Sequence, residues 1–421
     1  MRAAVDDRCP LGSLRLRARP LPAAQQTEGD DRQQNGYGEA EPTTGAQQGE
    51  HCRSLAPPQT RADRGVGPPR GKPAHPEPVC RLAAPEVTVL LDQFGRAGRD
   101  LRVSLTDRCN LRCSYCMPEQ GLPWLPRQEL LTDDEVVRVV AVMVGLGVDD
   151  VRFTGGEPLL RPGLVDIVAA VAGMTPRPRI SLTTNGIGLT ALAEPLAAAG
   201  LDRVNVSLDT LDRQRFIQLT HRDRLDDVLA GLTAARSAGL TPVKLNAVLV
   251  RGSNDAEAVD LVRFALRHDY ELRFIEQMPL DAQHGWDRTA MLTGDEILGL
   301  LRTQLSVQPD PGRLRGSAPA ETFLAADPGA GLGPGRIGMI ASVTQPFCAA
   351  CDRVRLTADG QVRNCLFARE ESPLRDLLRS GASDAALADV IRAAMWAKRA
   401  GHGIGEAGFA QPERPMSAIG G

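Results

Sequence analysis

The chain of 421 residues carries a formal net charge of −3 and contains no run of about 18 apolar residues. Near-neutrality excludes a global electrostatic draw towards nucleic acid or an anionic membrane, and the missing apolar run excludes a membrane-spanning helix. Nine cysteines in so long a chain are too few and too clustered for a disulfide scaffold.

Residues 1–86 hold 12 of the 31 prolines, many glycines and glutamines, and one aromatic residue, Tyr37. Such a stretch buries too little apolar surface to offset its ordering entropy, so it reads as a disordered N-terminal extension. Its opening is arginine-rich but lacks a continuous apolar core, and Asp6 and Asp7 argue against a targeting peptide. The cytoplasm is therefore the expected compartment. Cys9, Cys52 and Cys80 are scattered here and read as free thiols in a tail.

From Val87 short β-rich runs alternate with amphipathic helical stretches. The runs lie at 101–106, 151–154, 180–185, 204–209, 243–250 and 271–278. Between them stand patterns such as "TDDEVVRVVAVMVGLG", with Thr132 as a helix cap and Asp133, Asp134 and Glu135 in the first turn. Six such units imply a parallel sheet joined by right-handed crossovers. The fold class is α/β: a partial (β/α)6 TIM-type barrel over residues 87–308, open on one side. Beyond Met278 the alternation breaks. Residues 293–301 read as a helix, the Pro- and Gly-rich 309–335 as a loop, and 383–399 as a further helix. Residues 309–421 form a C-terminal module placed to cap the open barrel.

The loop after the first strand spaces Cys109, Cys113 and Cys116 as Cys-x3-Cys-x2-Cys. Structural zinc takes four ligands, commonly in paired Cys-x2-Cys units, and three cysteines cannot all pair as disulfides. Three thiolates suit an iron–sulfur cube that leaves one iron open. With Tyr115 ahead of the last cysteine, the motif resembles the signature of the radical S-adenosylmethionine superfamily. That resemblance implies an open iron chelating the amino and carboxylate groups of S-adenosylmethionine. One electron then cleaves the sulfonium to give a 5′-deoxyadenosyl radical. The partial barrel is also that superfamily's fold, with chemistry at the carboxyl ends of its strands.

The other strand ends extend the resemblance. In "TGGEP" (154–158) two glycines allow close backbone approach, and Glu157 offers a carboxylate to an ammonium. Tyr115, Gly156, Ser207 and Met278 occupy positions that the resemblance gives to S-adenosylmethionine contacts.

A second triplet, Cys348, Cys351 and Cys365, has no obvious fourth ligand, although Asp352 or His402 could serve. By spacing alone, zinc and an iron–sulfur cluster are equally compatible; beside the first triplet, a second [4Fe-4S] cluster with an open iron is favoured. Arg353 and Arg355 follow at once and share one face of a strand, where two forked guanidiniums suit a phosphate chain. Arg102, Arg152 and Lys244 fall on barrel strands, where burial without an anion would be costly.

Within the superfamily, this set resembles the GTP 3′,8-cyclase family of molybdenum cofactor biosynthesis. The resemblance runs from about Val89 to Gly421, and the N-terminal extension has no counterpart in it. It implies GTP contacts from Arg102, Arg152, Thr183, Lys244, Arg353, Val354 and Arg355, and guanine binding at the second cluster. It further implies removal of the ribose 3′ hydrogen and attack of the resulting carbon on C8. The terminal Gly420 and Gly421 are implied to reach into the active site and serve catalysis. Implied partners are cyclic pyranopterin monophosphate synthase and an electron donor. Neither nucleic acid nor membrane is among them, and a homodimer is compatible. Two rivals are a peptide-modifying relative with an auxiliary cluster and a zinc-binding interaction protein with two metal knuckles.

Overall fold

The computed structural model describes residues 89–313 and 315–420. The N-terminal extension with Cys9, Cys52 and Cys80, and the terminal Gly421, lie outside the described residues.

All six expected strands form: β1 (Asp100–Ser104), β2 (Asp150–Thr154), β3 (Arg179–Thr184), β4 (Arg203–Ser207), β5 (Lys244–Val248) and β6 (Glu271–Ile275). Helices follow them in turn: α1 (Asp133–Gly145), α2 (Leu164–Ala172), α3 (Leu189–Ala198), α4 (Arg213–Thr220), α5 (Leu225–Ser237), α6 (Ala258–His268) and α7 (Gly294–Arg302). Thr132 caps α1 in a reciprocal capping box with Glu135, as the sequence "TDDE" predicts. The eight-residue α4 was not anticipated; it buries only Phe216, Leu219 and Thr220, too few to set a period.

The strand periodicity sorts the side chains into two environments. Leu101, Val103, Val151, Phe153, Val204, Val206, Leu272 and Phe274 join one large apolar core with the helices. The alternate positions carry Arg102, Arg152, Thr183, Asn246 and Arg273, which line a common cavity with residues Arg353 and Arg355. Side chains from so many strands can meet only if the sheet curls into a partial barrel. A barrel interior is ordinarily filled with branched apolar residues. Here it is polar and charged.

The expectation of a loop over 309–335 is corrected. After β7 (Ser306–Pro309), two longer strands form, β8 (Glu321–Asp327) and β9 (Leu332–Ile340). Glycines in a strand ordinarily signal a break, but in β9 they mark close approach. A methyl on Gly335 would overlap Leu266 of α6, and one on Gly338 would crowd Arg273 of β6.

The remaining elements are β10 (Arg353–Leu356), β11 (Gln361–Arg363), β12 (Ser372–Pro373), α8 (Arg375–Arg379), α9 (Asp384–Trp396) and α10 (Met416–Ile419). The sheet order is β12-β11-β10-β1-β2-β3-β4-β5-β6-β9-β8-β7. β10 lies parallel to β1 and β9 lies parallel to β6. The C-terminal segment is thus continuous with the barrel sheet at both edges. Residues Leu280, Met291, Val343, Phe367, Ile404 and Ile419 form a second, smaller apolar cluster with Cys365 and Met416 packed against it. Among the described residues no helix is long and apolar enough to cross a membrane.

Candidate functional site

Two three-cysteine cavities lie along the barrel interior. The first, about 160 Å³, is lined by Cys109, Cys113 and Cys116 with Tyr115, Gly156 and Ser207 from the expected cofactor set. The second, about 140 Å³, is lined by Cys348, Cys351 and Cys365 with Arg102, Arg152, Thr183, Arg353 and Arg355. Thr183 and Met416 line both, so the two cavities share a wall.

The cysteine loop is held from several sides. Arg112 N–H donates to the Thr220 carbonyl and Ser114 N–H to the Leu219 carbonyl, fastening the loop to the end of α4. The Tyr115 hydroxyl donates to Asp209 at 2.6 Å. Asp209 in turn accepts from Val248 N–H at the end of β5. Burial raises the Asp209 carboxyl to about 6 against these two hydrogen bonds. Asn185 Nδ2 approaches Cys109 Sγ at 3.9 Å. Neither Asp209 nor Asn185 was singled out from sequence; their signal is only their place at the ends of "VNVSLD" and "ISLTTN".

The thiols behave as a converging set. Burial pushes Cys116 up to about 12, and Cys109 adds to the shift. Burial likewise raises Cys113 well above the ordinary thiol range, with Cys116, Asp209 and Cys109 contributing. Three thiolates that oppose one another in a buried cavity need a strongly cationic occupant. Among the described residues no group of three His, Cys, Asp or Glu side chains is disposed to hold a single metal ion. The three thiols line one cavity, where together they could hold a multi-iron cluster.

Both fourth ligands considered for the second triplet are committed elsewhere. His402 Nε2 donates to the Ser342 carbonyl and Nδ1 accepts from Ile404 N–H, so both ring nitrogens are used. Asp352 lines a separate mouth of the barrel. Among the described residues the second triplet, like the first, gathers no fourth ligand. Its Cys351 thiol is drawn below the ordinary range although burial opposes this, because Lys398 and Arg353 stand beside it.

Glu157 has a different role from the one its motif suggested. Its Oε1 accepts from Leu159 N–H and the Thr184 hydroxyl, and its Oε2 accepts from Asn185 N–H. It staples the β2 turn to the end of β3 and does not line the cavity. Gly155 and Gly156 do.

The lumen around the second cavity is rich in buried cations. Burial lowers Arg152 well below the usual guanidinium range, and Arg102 adds repulsion. Burial brings Arg355 to about 9, helped by Arg102 and Arg353. Arg273, not anticipated from sequence, also falls to about 9 through burial. Burial alone would raise the Asp100 carboxyl, but Arg102, Arg152 and Arg353 hold it well below the usual carboxylate range. Arg353 Nη2, Arg273 Nε and Asn246 Oδ1 are buried without a hydrogen-bond partner among the described residues. The two unpaired guanidinium donors beside repelling cations fit an anionic ligand with many acceptors, and the Asn246 oxygen would accept from a donor on it.

Three expected contacts lie elsewhere than their group. Lys244 lines the charged mouth at the strand N-termini, a cavity of about 810 Å³, and its Nζ pairs with Glu271 at 2.5 Å. Val354 is fully buried in the helix-facing core, so its side chain does not face the lumen. Met278 lines the second cavity rather than the first. Arg152 and Arg273 line both the mouth and the second cavity, making the lumen one connected path.

The C-terminal tail enters this path. Met416 lines both cysteine cavities, and Ser417 hydrogen-bonds Cys116. The Gly420 carbonyl accepts from Arg355 Nη1. Gly420 has φ +74°, and a methyl there would overlap Ser104 and Thr154. Only glycine fits.

The sequence matches the Radical SAM superfamily over residues 103–265 and Molybdenum Cofactor Synthesis C over 270–404. A GTP 3′,8-cyclase of Streptomyces coelicolor is 63% identical over 334 residues, covering 79% of this chain and 96% of the relative. GTP 3′,8-cyclase 2 of Mycobacterium tuberculosis is 58% identical over 356 residues, covering 83% and 98%. Among solved structures, Streptococcus suis SuiB bound to S-adenosylmethionine aligns with a TM-score of 0.46 at 14% identity. That alignment covers 70% of this chain and 68% of SuiB, a likeness too distant to bear on function. With near-complete coverage of relatives at this identity, the chain belongs to the GTP 3′,8-cyclase family of radical S-adenosylmethionine enzymes.

Proposed function

We propose that this chain cyclises GTP to 3′,8-cyclo-7,8-dihydro-GTP in molybdenum cofactor biosynthesis. The observation that carries the reading is the lumen itself: two cavities that share a wall and each present three thiols, the second lined by buried, partly unpartnered guanidiniums. Cys109, Cys113 and Cys116 would hold one [4Fe-4S] cluster, and Cys348, Cys351 and Cys365 the other. When bound, the first cluster and S-adenosylmethionine supply the power to abstract an unactivated hydrogen atom.

The chain's own residues orient and shield. Gly156 and Ser207 offer backbone and hydroxyl to the cofactor, while Asp209 fixes the ring of Tyr115 through its hydroxyl. Arg102, Arg152, Arg353 and Arg355 would take the phosphates, with Lys244 and Arg273 extending the charge towards the strand N-termini. Thr183, on the shared wall, is suited to steer the ribose, and Met278 to pack beside the base. Val354 would contribute through its main chain alone. The tail, with Gly420 held by Arg355 and Gly421 beyond it, would close the site against water. The barrel over 87–308 would thus carry the cofactor, and 309–421 the second cluster and tail. An electron donor must reduce the first cluster, and cyclic pyranopterin monophosphate synthase would consume the product.

The test incubates the reduced, iron-loaded protein with GTP and S-adenosylmethionine. The expected result is 5′-deoxyadenosine formed in step with GTP consumption, from protein holding about eight irons per chain. No 5′-deoxyadenosine above a GTP-free control overturns the substrate reading.

A further inference from the structure

Just beyond α9, Lys398 is 2% exposed. Its ammonium has three N–H groups, and each has a partner. Nζ donates to the Arg353 carbonyl at 2.7 Å, to the Cys351 carbonyl at 3.2 Å, and lies 3.5 Å from Cys351 Sγ. No carboxylate of the described residues pairs with it. A buried ammonium held only by neutral carbonyls would be costly, so its counter-charge must be the sulfur. The contrast with Arg96 is direct. Arg96 also grips this loop, through the Cys348 carbonyl, but its charge is matched by Asp92 at 2.5 Å. Nor is Lys398 a substrate ligand, because it lines neither cysteine cavity and meets Cys351 from outside.

Resting on the two-cluster reading, we propose that Lys398 is the fixed counter-cation of the second cluster, a positioning residue that donates to the Cys351 thiolate and tunes the cluster's reduction potential. A positive charge and an N–H···S hydrogen bond both favour the more negative, reduced form. The same ammonium holds the carbonyls on either side of Asp352, which fixes the direction in which Arg353 leaves the loop. Cluster charge and phosphate-facing guanidinium are therefore set by one side chain. The alternative, a purely mechanical tie between α9 and the loop, would leave the potential unmoved.

The test uses the full chain with Cys109, Cys113 and Cys116 replaced by Ala, so that only the second cluster assembles. Iron content and an EPR-monitored redox titration are compared for the parent, K398R, K398Q and K398M. The midpoint potential is expected to shift negative in K398Q and K398M, with several-fold faster iron loss to a chelator, while K398R stays near the parent. Glutamine keeps donors without charge, so K398Q against K398R reads the charge even where K398M does not fold. Equal potentials in K398Q, K398R and the parent overturn the proposal. A parent that assembles no cluster at Cys348, Cys351 and Cys365 overturns the two-cluster reading itself, and this inference with it.

Discussion

Both carboxylate oxygens of Glu157 are engaged by Leu159 N–H, Thr184 and Asn185 N–H, and the residue is 1% exposed. Burial nevertheless dominates and raises its carboxyl from 4.5 to about 7. A raised carboxyl means the folded state binds the proton more tightly than the unfolded chain. Its contribution to stability is present below pH 4.5 and is lost as pH rises towards 7. The stability advantage of the parent over E157Q should therefore shrink between pH 5 and pH 7.5, read by urea melts of the iron-free chain. E157A strands several buried donors and should cost roughly 2–5 kcal/mol at either pH. A constant parent–E157Q difference would sink the titration argument. The motif "TGGEP" made Glu157 legible as important, but not its direction. A carboxylate at a strand end looks the same in sequence whether it faces a ligand or the backbone behind it.

The cysteine loop and the β2 turn are interlocked elements. Gly156 N–H donates to the Thr106 carbonyl and Glu157 N–H to the Arg108 carbonyl, each at 2.7 Å. A methyl on Gly156 would overlap the Asp107 and Arg108 carbonyl oxygens just ahead of Cys109. G156A should therefore displace the first cysteine loop while leaving the second triplet intact. Reconstituted G156A is expected to hold about half the parental iron, with weakened S-adenosylmethionine binding by equilibrium dialysis. Parental iron and affinity would show that the turn yields without moving the loop. At this scale the sequence was most readable where a period repeats. Six strands and the long helices around them follow from alternation and caps. β8 and β9 were hidden because glycine and proline carry the composition of a loop. Only the packing of Leu266 and Arg273 against Gly335 and Gly338 reveals why a strand tolerates them. The short α4, which anchors the cysteine loop, lacks the length to declare itself.

Across the whole molecule, the ligand-free barrel bears an electrostatic cost that its core must offset. Arg102 faces Arg152 and Arg355 in register on neighbouring strands. Asp100 is the main counter-charge among them, drawn on by Arg102, Arg152 and Arg353 together. Among the described residues Arg152 makes one side-chain hydrogen bond, from Nε to the Ser181 hydroxyl at 3.1 Å. Its remaining donors and its charge are available to an anion in the cavities on either side. Replacing such a group by an apolar residue of similar volume removes desolvation and repulsion together. Because Arg102 and Arg353 remain to pair Asp100, R152M should leave the ligand-free chain no less stable than the parent. GTP binds only the folded parent, and at 100-fold over its dissociation constant should add about 2.7 kcal/mol. R152M should lose most of that increment. Denaturant melts with and without GTP measure both terms on one preparation. The opposite result, a destabilised R152M that still gains from GTP, would mean that Arg152 braces the barrel and leaves the phosphates to other groups. The arginines of the lumen were individually visible in sequence as strand residues. Their collective strain was not, because it depends on which strands become neighbours, and β10 reaches β1 only after some 250 residues of chain.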